Sequence, residues 1–188
     1  MPISELAPMY AIVDRARRLG ERALPNGTEL IGHVPHVAPD AWLHTMFAGL
    51  TEDEVAKVES EAGRSLTAEH RRILAAHNGL MLFSTALSLY GLRHSNVRVG
   101  DAARQPFGIR VPNGPERVPG APKTWVYVGG YSSDGSQLCV DFTTSHVYRC
   151  ARYSAKPLKE WPNLISMLNE EATRISSLFD ENGRRLRL

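Results

Sequence analysis

Leu50-Thr51-Glu52-Asp53-Glu54-Val55, then Glu59, Leu66-Thr67, Ile73-Leu74, Asn78-Gly79 and Leu89-Tyr90-Gly91: the order and spacing of these residues decide the fold class. Thr51 is a favoured helix N-cap, and Glu54 stands three residues on, where a capping box needs its carboxylate. Leu50 and Val55 are placed for the hydrophobic staple that accompanies such a box. Val55, Val58 and Ala62 form an apolar stripe at helical spacing, and Gly63 suits a left-handed stop. Thr67 caps a second helix that carries Ile73, Leu74 and His77. Asn78-Gly79 reads as its stop, since both residues tolerate positive φ.

Beyond this point the period changes. Leu80 to Phe83 is a continuous apolar run fit for a buried strand, and Leu87, Leu89 and Tyr90 suggest another, ended by Gly91. Residues 94–124 are rich in Gly, Pro and Arg and read as an irregular insertion with one strand at Phe107 to Val111. Trp125 to Val128 is a strand, and Gly129 to Gly135 a turn region. Leu138, Val140 and Phe142 alternate with Cys139 and Asp141, as in a half-buried strand, and Val147-Tyr148 begins its hairpin partner. A long helix is expected from about Trp161, with Pro162 in its first turn. Leu164, Ile165, Leu168, Ala172, Ile175, Leu178 and Phe179 form its apolar face, and Asn182-Gly183 ends it.

Upstream of the opening stretch, Ser4 to Leu24 reads as a helix ended by Pro25-Asn26-Gly27. Residues 25–40 read as loop, and Asp40 as the cap of a short helix through Trp42, Met46 and Phe47. The division expected is therefore a helical extension over 1–47 packed on a main domain over 48–188. Helices, then antiparallel strands, then a helix argue for an α+β fold: a central antiparallel sheet flanked by N-terminal and C-terminal helices.

Composition narrows the function classes. The 188 residues can bury a full core, and 43% hydrophobic with 22% charged residues is ordinary for a globular chain. A net charge of +2 gives little reason to expect strong non-specific nucleic-acid binding. Two cysteines, Cys139 and Cys150, are too few for a disulfide-built secreted domain. Glu5, Asp14 and nearby arginines interrupt any signal-peptide core, and no window approaches the roughly 18 apolar residues of a membrane helix. The expectation is a cytoplasmic protein with no membrane partner.

The ordered set Leu50-Thr51 through Glu59, Leu66, Ile73-Leu74 with Asn78-Gly79, Leu89-Tyr90-Gly91, Trp125-Val126-Tyr127-Val128-Gly129, Gly135, Asp141, Val147-Tyr148 and the terminal helix resembles the SUKH superfamily. The resemblance covers roughly residues 48–180, with Thr67 where the family often has proline. Members are mostly bacterial immunity proteins, together with a fungal regulator of cell-wall synthesis. The resemblance implies an α+β scaffold without catalysis or cofactor, binding and blocking a cognate toxin, often a nuclease or another cytosol-acting enzyme.

No catalytic set is apparent in the sequence. The turn at Gly129 to Gly135 lacks the lysine and spacing of a phosphate loop. Asp141 lacks a second carboxylate partner. His33, His36, Asp40 and His44 have loose metal-ligand character without defined geometry. Cys139 and Cys150 read as two buried, reduced thiols, with a pairing to His146 the alternative. The arginines at 184, 185 and 187 read as a solvated tail. The residues expected to meet a partner are Glu52, Asp53, Glu59 and Glu61 on one acidic helix, with Asp134 and Asp141. Three functions stand: an immunity protein, a general interaction scaffold, and a small enzyme or metal protein using Asp141, His146 and Cys150 or His33 and His36.

Overall fold

A computed structural model describes residues 3–186. Nine strands form one antiparallel sheet in sequence order, a simple meander. They are β1 (Glu21–Ala23), β2 (Glu29–His33), β3 (Trp42–Ala48), β4 (His77–Leu82), β5 (Leu87–Leu89), β6 (Trp125–Gly130), β7 (Gln137–Asp141), β8 (Val147–Cys150) and β9 (Pro157–Trp161). The helices are α1 (Ala7–Arg15), α2 (Glu52–Ala62), α3 (Ala68–Ala76), the one-turn α4 (Arg110–Asn113) and α5 (Leu164–Ser176). The fold is α+β, with helices at both ends of the chain around an antiparallel sheet.

The opening stretch forms as its residues require. The Thr51 hydroxyl accepts from the Glu54 backbone N–H, and the Glu54 carboxylate accepts from the Thr51 N–H at 2.9 Å. Leu50 and Val55 are both buried, and Gly63 ends α2 in the left-handed conformation at φ 66°. Thr67 caps α3 by accepting from the His70 N–H.

Asn78-Gly79 corrects the sequence expectation. Helix α3 is over by Ala76, His77 is already extended, and Asn78 lies inside β4. Its buried amide donates to Leu92 O at 2.9 Å and accepts from Leu92 N at 2.7 Å. A Cβ on Gly91 would stand 2.3 Å from the Asn78 Oδ1, and one on Gly79 would stand 2.6 Å from Leu89 O. Asn78-Gly79 and Leu89-Tyr90-Gly91 are thus two halves of one clasp, and the glycines are there for close approach.

The first 48 residues carry the largest corrections. The expected helix to Leu24 stops at Arg15, passes through a 3-10 turn to Leu19, and gives way to β1. The expected loop contains β2, and the expected helix after Asp40 is β3. Trp42, Met46 and Phe47 have helical spacing, but every residue from Leu43 to Phe47 is buried, Leu43, His44 and Thr45 included. A strand covered on both faces loses its period of two, so spacing alone misassigns it. Residues 1–47 therefore contribute three strands to the sheet and not only helix.

Three further differences follow from local chemistry. No strand forms over Phe107 to Val111; Gly108 makes one isolated bridge with Gly91, and Arg110–Asn113 turns as α4. Gly129 and Gly130 belong to β6, while Phe142 falls just beyond β7. Trp161 ends β9, and α5 starts at Leu164 behind Asn163, whose side chain accepts from the Ser166 N–H. Pro157 opens that edge strand, where a missing donor costs nothing.

The sheet divides the interior. Val126, Val128, Leu138 and Val140 face a large core shared with α1, α2, α3 and α5. Trp125, Tyr127, Cys139 and Cys150 face a smaller cluster closed by Val118 from the 94–124 segment. Asn113 pins that segment to β6: its amide donates to Tyr127 O at 2.7 Å and accepts from Tyr127 N at 2.8 Å. No helix among the described residues is long and apolar enough to cross a membrane.

Asn78→Ala leaves two buried backbone groups of Leu92 without partners and is expected to cost about 2–4 kcal/mol in urea unfolding. Thr51→Ala loses only a solvent-facing cap, and about 1 kcal/mol is expected. The order of the two costs checks which motif holds the fold.

Candidate functional site

In a meander, alternate connections meet at the same end of the sheet. Residues 34–41, 83–86, 131–136 and 151–156 therefore share one end. The chain after α5 returns to that end. Phe179 stacks on Phe83 at 5.1 Å, and Leu186 N donates to Leu178 O at 2.8 Å. Gly183 lets this return lie close, since a Cβ there would stand 2.8 Å from Val34 Cγ1.

The connection between β4 and β5 is strained. Phe83, Ser84 and Thr85 all have positive φ, at 53°, 52° and 77°. Such backbone is disfavoured for side chains beyond Cβ, most of all for a β-branched residue, and concentrates at functional positions.

Two clefts open on either side of Phe83, Phe179 and Gly183. The first, about 520 Å³, lies between α1 and the returning chain, with His44 and Phe83 in its wall and Arg18 and Glu181 at its rim. His44 is only 1% exposed, and neither ring nitrogen has a hydrogen-bond partner. Its ring meets Phe83 edge-on at 4.8 Å, and burial pushes its pKa down to about 3.

The second cleft, about 540 Å³, is bounded by the 131–133 turn, the last turn of α5 and Arg184-Arg185. Arg149, Arg174, Arg184, Arg185 and His36 line it together with Phe83, Phe179, Leu178 and Val37, and no carboxylate among the described residues does. Its wall is set by Glu171, which is 0% exposed. Glu171 accepts from Tyr131 Oη at 2.9 Å, from Arg174 Nη2 at 2.6 Å and from Lys159 Nζ at 3.2 Å. Burial works against its charge, yet Arg174 and Tyr131 keep its pKa below the usual carboxylate value. The Arg149 guanidinium lies 4.2 Å over the Tyr131 ring and bonds Asp134 at 2.7 Å. Arg184 and Arg185 make no ion pair among the described residues.

The sequence-nominated groups are spread over the molecule. Glu52 and Asp53 stand exposed in the first turn of α2, and Glu61 is half-buried near its end. Glu59 is occupied internally, accepting from Arg71 Nη1 at 2.6 Å and from Leu66 N at 2.9 Å. Asp134 holds the Ser136 N–H and Arg149, while Asp141 holds Thr124 and Thr143. His33 bonds Pro39 O at 3.0 Å, away from the cleft wall that holds His44. No three His, Cys, Asp or Glu side chains converge as a metal set among the described residues.

Cys139 and Cys150 are unbonded and buried, with Sγ atoms 3.9 Å apart. The neighbouring thiol and burial push the Cys139 thiol well up, away from nucleophilic use. His146 lies at the opposite end of β8 from Cys150 and pairs with Glu160. Of the terminal arginines, 184 and 185 line a cleft, and 187 lies outside the described residues. Sequence reasoning missed this site; its only trace was the pairing of an arginine-rich end with the glycine at 183.

No protein-family model matches the chain, and no curated protein shows significant sequence similarity to it.

His44 and His70 are both buried, with folded pKa values of about 3 and about 4 against 6.5 when free. The unfolded chain binds these protons first. Stability present above pH 6.5 is therefore lost as pH falls toward the folded values. At pH 5 each histidine is expected to cost about 2 kcal/mol. His44→Leu should flatten the acid limb in urea unfolding followed from neutral pH to pH 5.

Proposed function

We propose that this chain is a non-enzymatic immunity protein of SUKH type, which binds a cognate toxin in the bacterial cytoplasm and blocks its active site or substrate path. The observation that carries the reading is the clasp of Asn78 on Leu92, closed by Gly79 and Gly91. It makes one physical unit of two of the sequence pieces that carry the resemblance. The capping box at Thr51, the stop at Gly63 and the cap at Thr67 place α2 and α3 beside that unit.

A scaffold of this kind supports function through its surface, because the motifs that define it are consumed by folding. On α2, Glu54 and Glu59 are held in internal bonds. Glu52 and Asp53 present their charge to solvent beside the helix N-terminus. These two, with Glu61, are the acidic groups that a basic toxin surface would meet. Charge complementarity at such a rim speeds association more than it deepens affinity.

Co-purification and co-expression with the products of adjacent genes test the reading. A toxic neighbour, bound tightly and rendered harmless by this chain, is the expected result. Glu52→Lys with Asp53→Lys should slow association by about tenfold at low salt and less at high salt. If no neighbour is toxic or none binds, the reading is wrong. A neighbour that binds without toxicity assigns the chain to regulatory scaffolding instead.

A further inference from the structure

We propose that the arginine-lined cleft between α5 and the 131–133 turn is a binding site for a small phosphorylated molecule with an aromatic or apolar body. Toxin binding is neither required for such a site nor excluded by it.

The charge argument comes first. Among the described residues the cleft wall carries four arginines and His36 and no carboxylate, in a chain whose net charge is only +2. Two of the four are already balanced. Arg174 is spent on the buried Glu171, and Arg149 is spent on Asp134. Arg184 and Arg185 have no such partner among the described residues. The acids nearest in sequence are engaged elsewhere. Asp180 Oδ1 accepts from Asn182 N and Arg184 N, and Glu181 meets Arg18 in the neighbouring cleft. These two guanidiniums match the charge of a phosphate monoester dianion, and guanidinium forks suit its oxygens geometrically. The exposed hydroxyls of Ser132 and Ser133 add donors at the mouth.

The apolar argument is independent. The same cleft is lined by Phe179, Leu178 and Val37, and Val37 is 60% exposed. A bare inorganic anion would leave that surface wet. A ring attached to the phosphate would cover it, and the volume of about 540 Å³ falls within the range of small-molecule sites.

One wall of the cleft is also braced by its neighbours. Glu171 fixes Arg174 and Tyr131, Tyr131 carries Arg149 on its ring, and the strained Phe83–Thr85 turn supports Phe179 from below. The wall on which the body of the ligand would rest therefore loses little freedom when it arrives.

Calorimetric titration of the intact chain with AMP, 1-naphthyl phosphate, inorganic phosphate and adenosine tests the site. The expected order has an aromatic phosphate binding more tightly than inorganic phosphate and than adenosine, with affinity falling as salt rises. Arg184→Glu with Arg185→Glu, both on the exposed return strand, should weaken the aromatic phosphate by about tenfold or more. Phe179→Ala should weaken the aromatic phosphates and leave inorganic phosphate unchanged. Unaltered thermal unfolding of the double charge reversal separates loss of the site from loss of the fold. The proposal is overturned if neither aromatic phosphate binds at millimolar concentration. It is equally overturned if adenosine binds as well as AMP, or if the charge reversal leaves binding unchanged.

Discussion

Glu171 is a carboxylate without solvent contact, and the geometry around the second cleft follows from neutralising it. Burying an unpaired charge costs several kcal/mol, so the group must be met by donors from every side. Arg174 comes from the next turn of α5, Tyr131 from the end of β6, and Lys159 from β9. Lys159 is shared with Glu170, which also accepts from Trp161 Nε1 at 3.0 Å. One charge therefore fastens the last helix to two separate strands. With α5 fixed, the chain that follows it must return across the end of the sheet, and both clefts come into being on either side of Phe179.

Two buried asparagines do comparable work on the neutral side. Asn78 satisfies both backbone groups of Leu92, and Asn113 satisfies both of Tyr127. Leu92 lies beyond the end of β5, and Tyr127 meets Asn113 on the side of β6 away from its ladder partner Cys139, so each amide avoids the cost of orphaned buried polar groups. Between them they tie the long connection from β5 to β6 at its start and in its second half. That connection enters the main core through Leu92 and Ile109 and closes the cluster around Trp125, Tyr127, Cys139 and Cys150 through Val118.

Legibility followed the range of the interaction. The caps at Thr51 and Thr67, the stop at Gly63 and the apolar stripe of α5 from Leu164 to Ile175 were read correctly, because a helix end is satisfied by residues within one turn. The stop expected at Asn182-Gly183 was not one: α5 ends at Ser176, and Leu178 and Phe179 lie in the chain that returns across the sheet. The misreadings have a common origin. Trp42 to Ala48 is buried on both faces and carries no alternation, and Glu29 to His33 sits between breakers that mimic a loop. Asn78-Gly79 shows every sign of a helix stop, while its role depends on Leu92, fourteen residues away. The candidate cleft was barely legible at all. Its walls come from residues 36–37, 83–86, 131–133, 149, 174–179 and 183–185, and no local window contains more than a fragment.

By itself, the sequence determined the class of fold, the position of the capped helix pair, the paired strands from Trp125 onward and the terminal helix, because each is specified by contacts only a few residues apart. Only the tertiary structure decided that the first strands join the same sheet, that the acidic residues Glu59, Asp134 and Asp141 hold the molecule together while Glu52 and Asp53 stay exposed, and that Arg184 and Arg185 line a cleft. The physical reason is that a charge or a strand has no fixed role until its partner is in place, and here the partners lie far away along the chain.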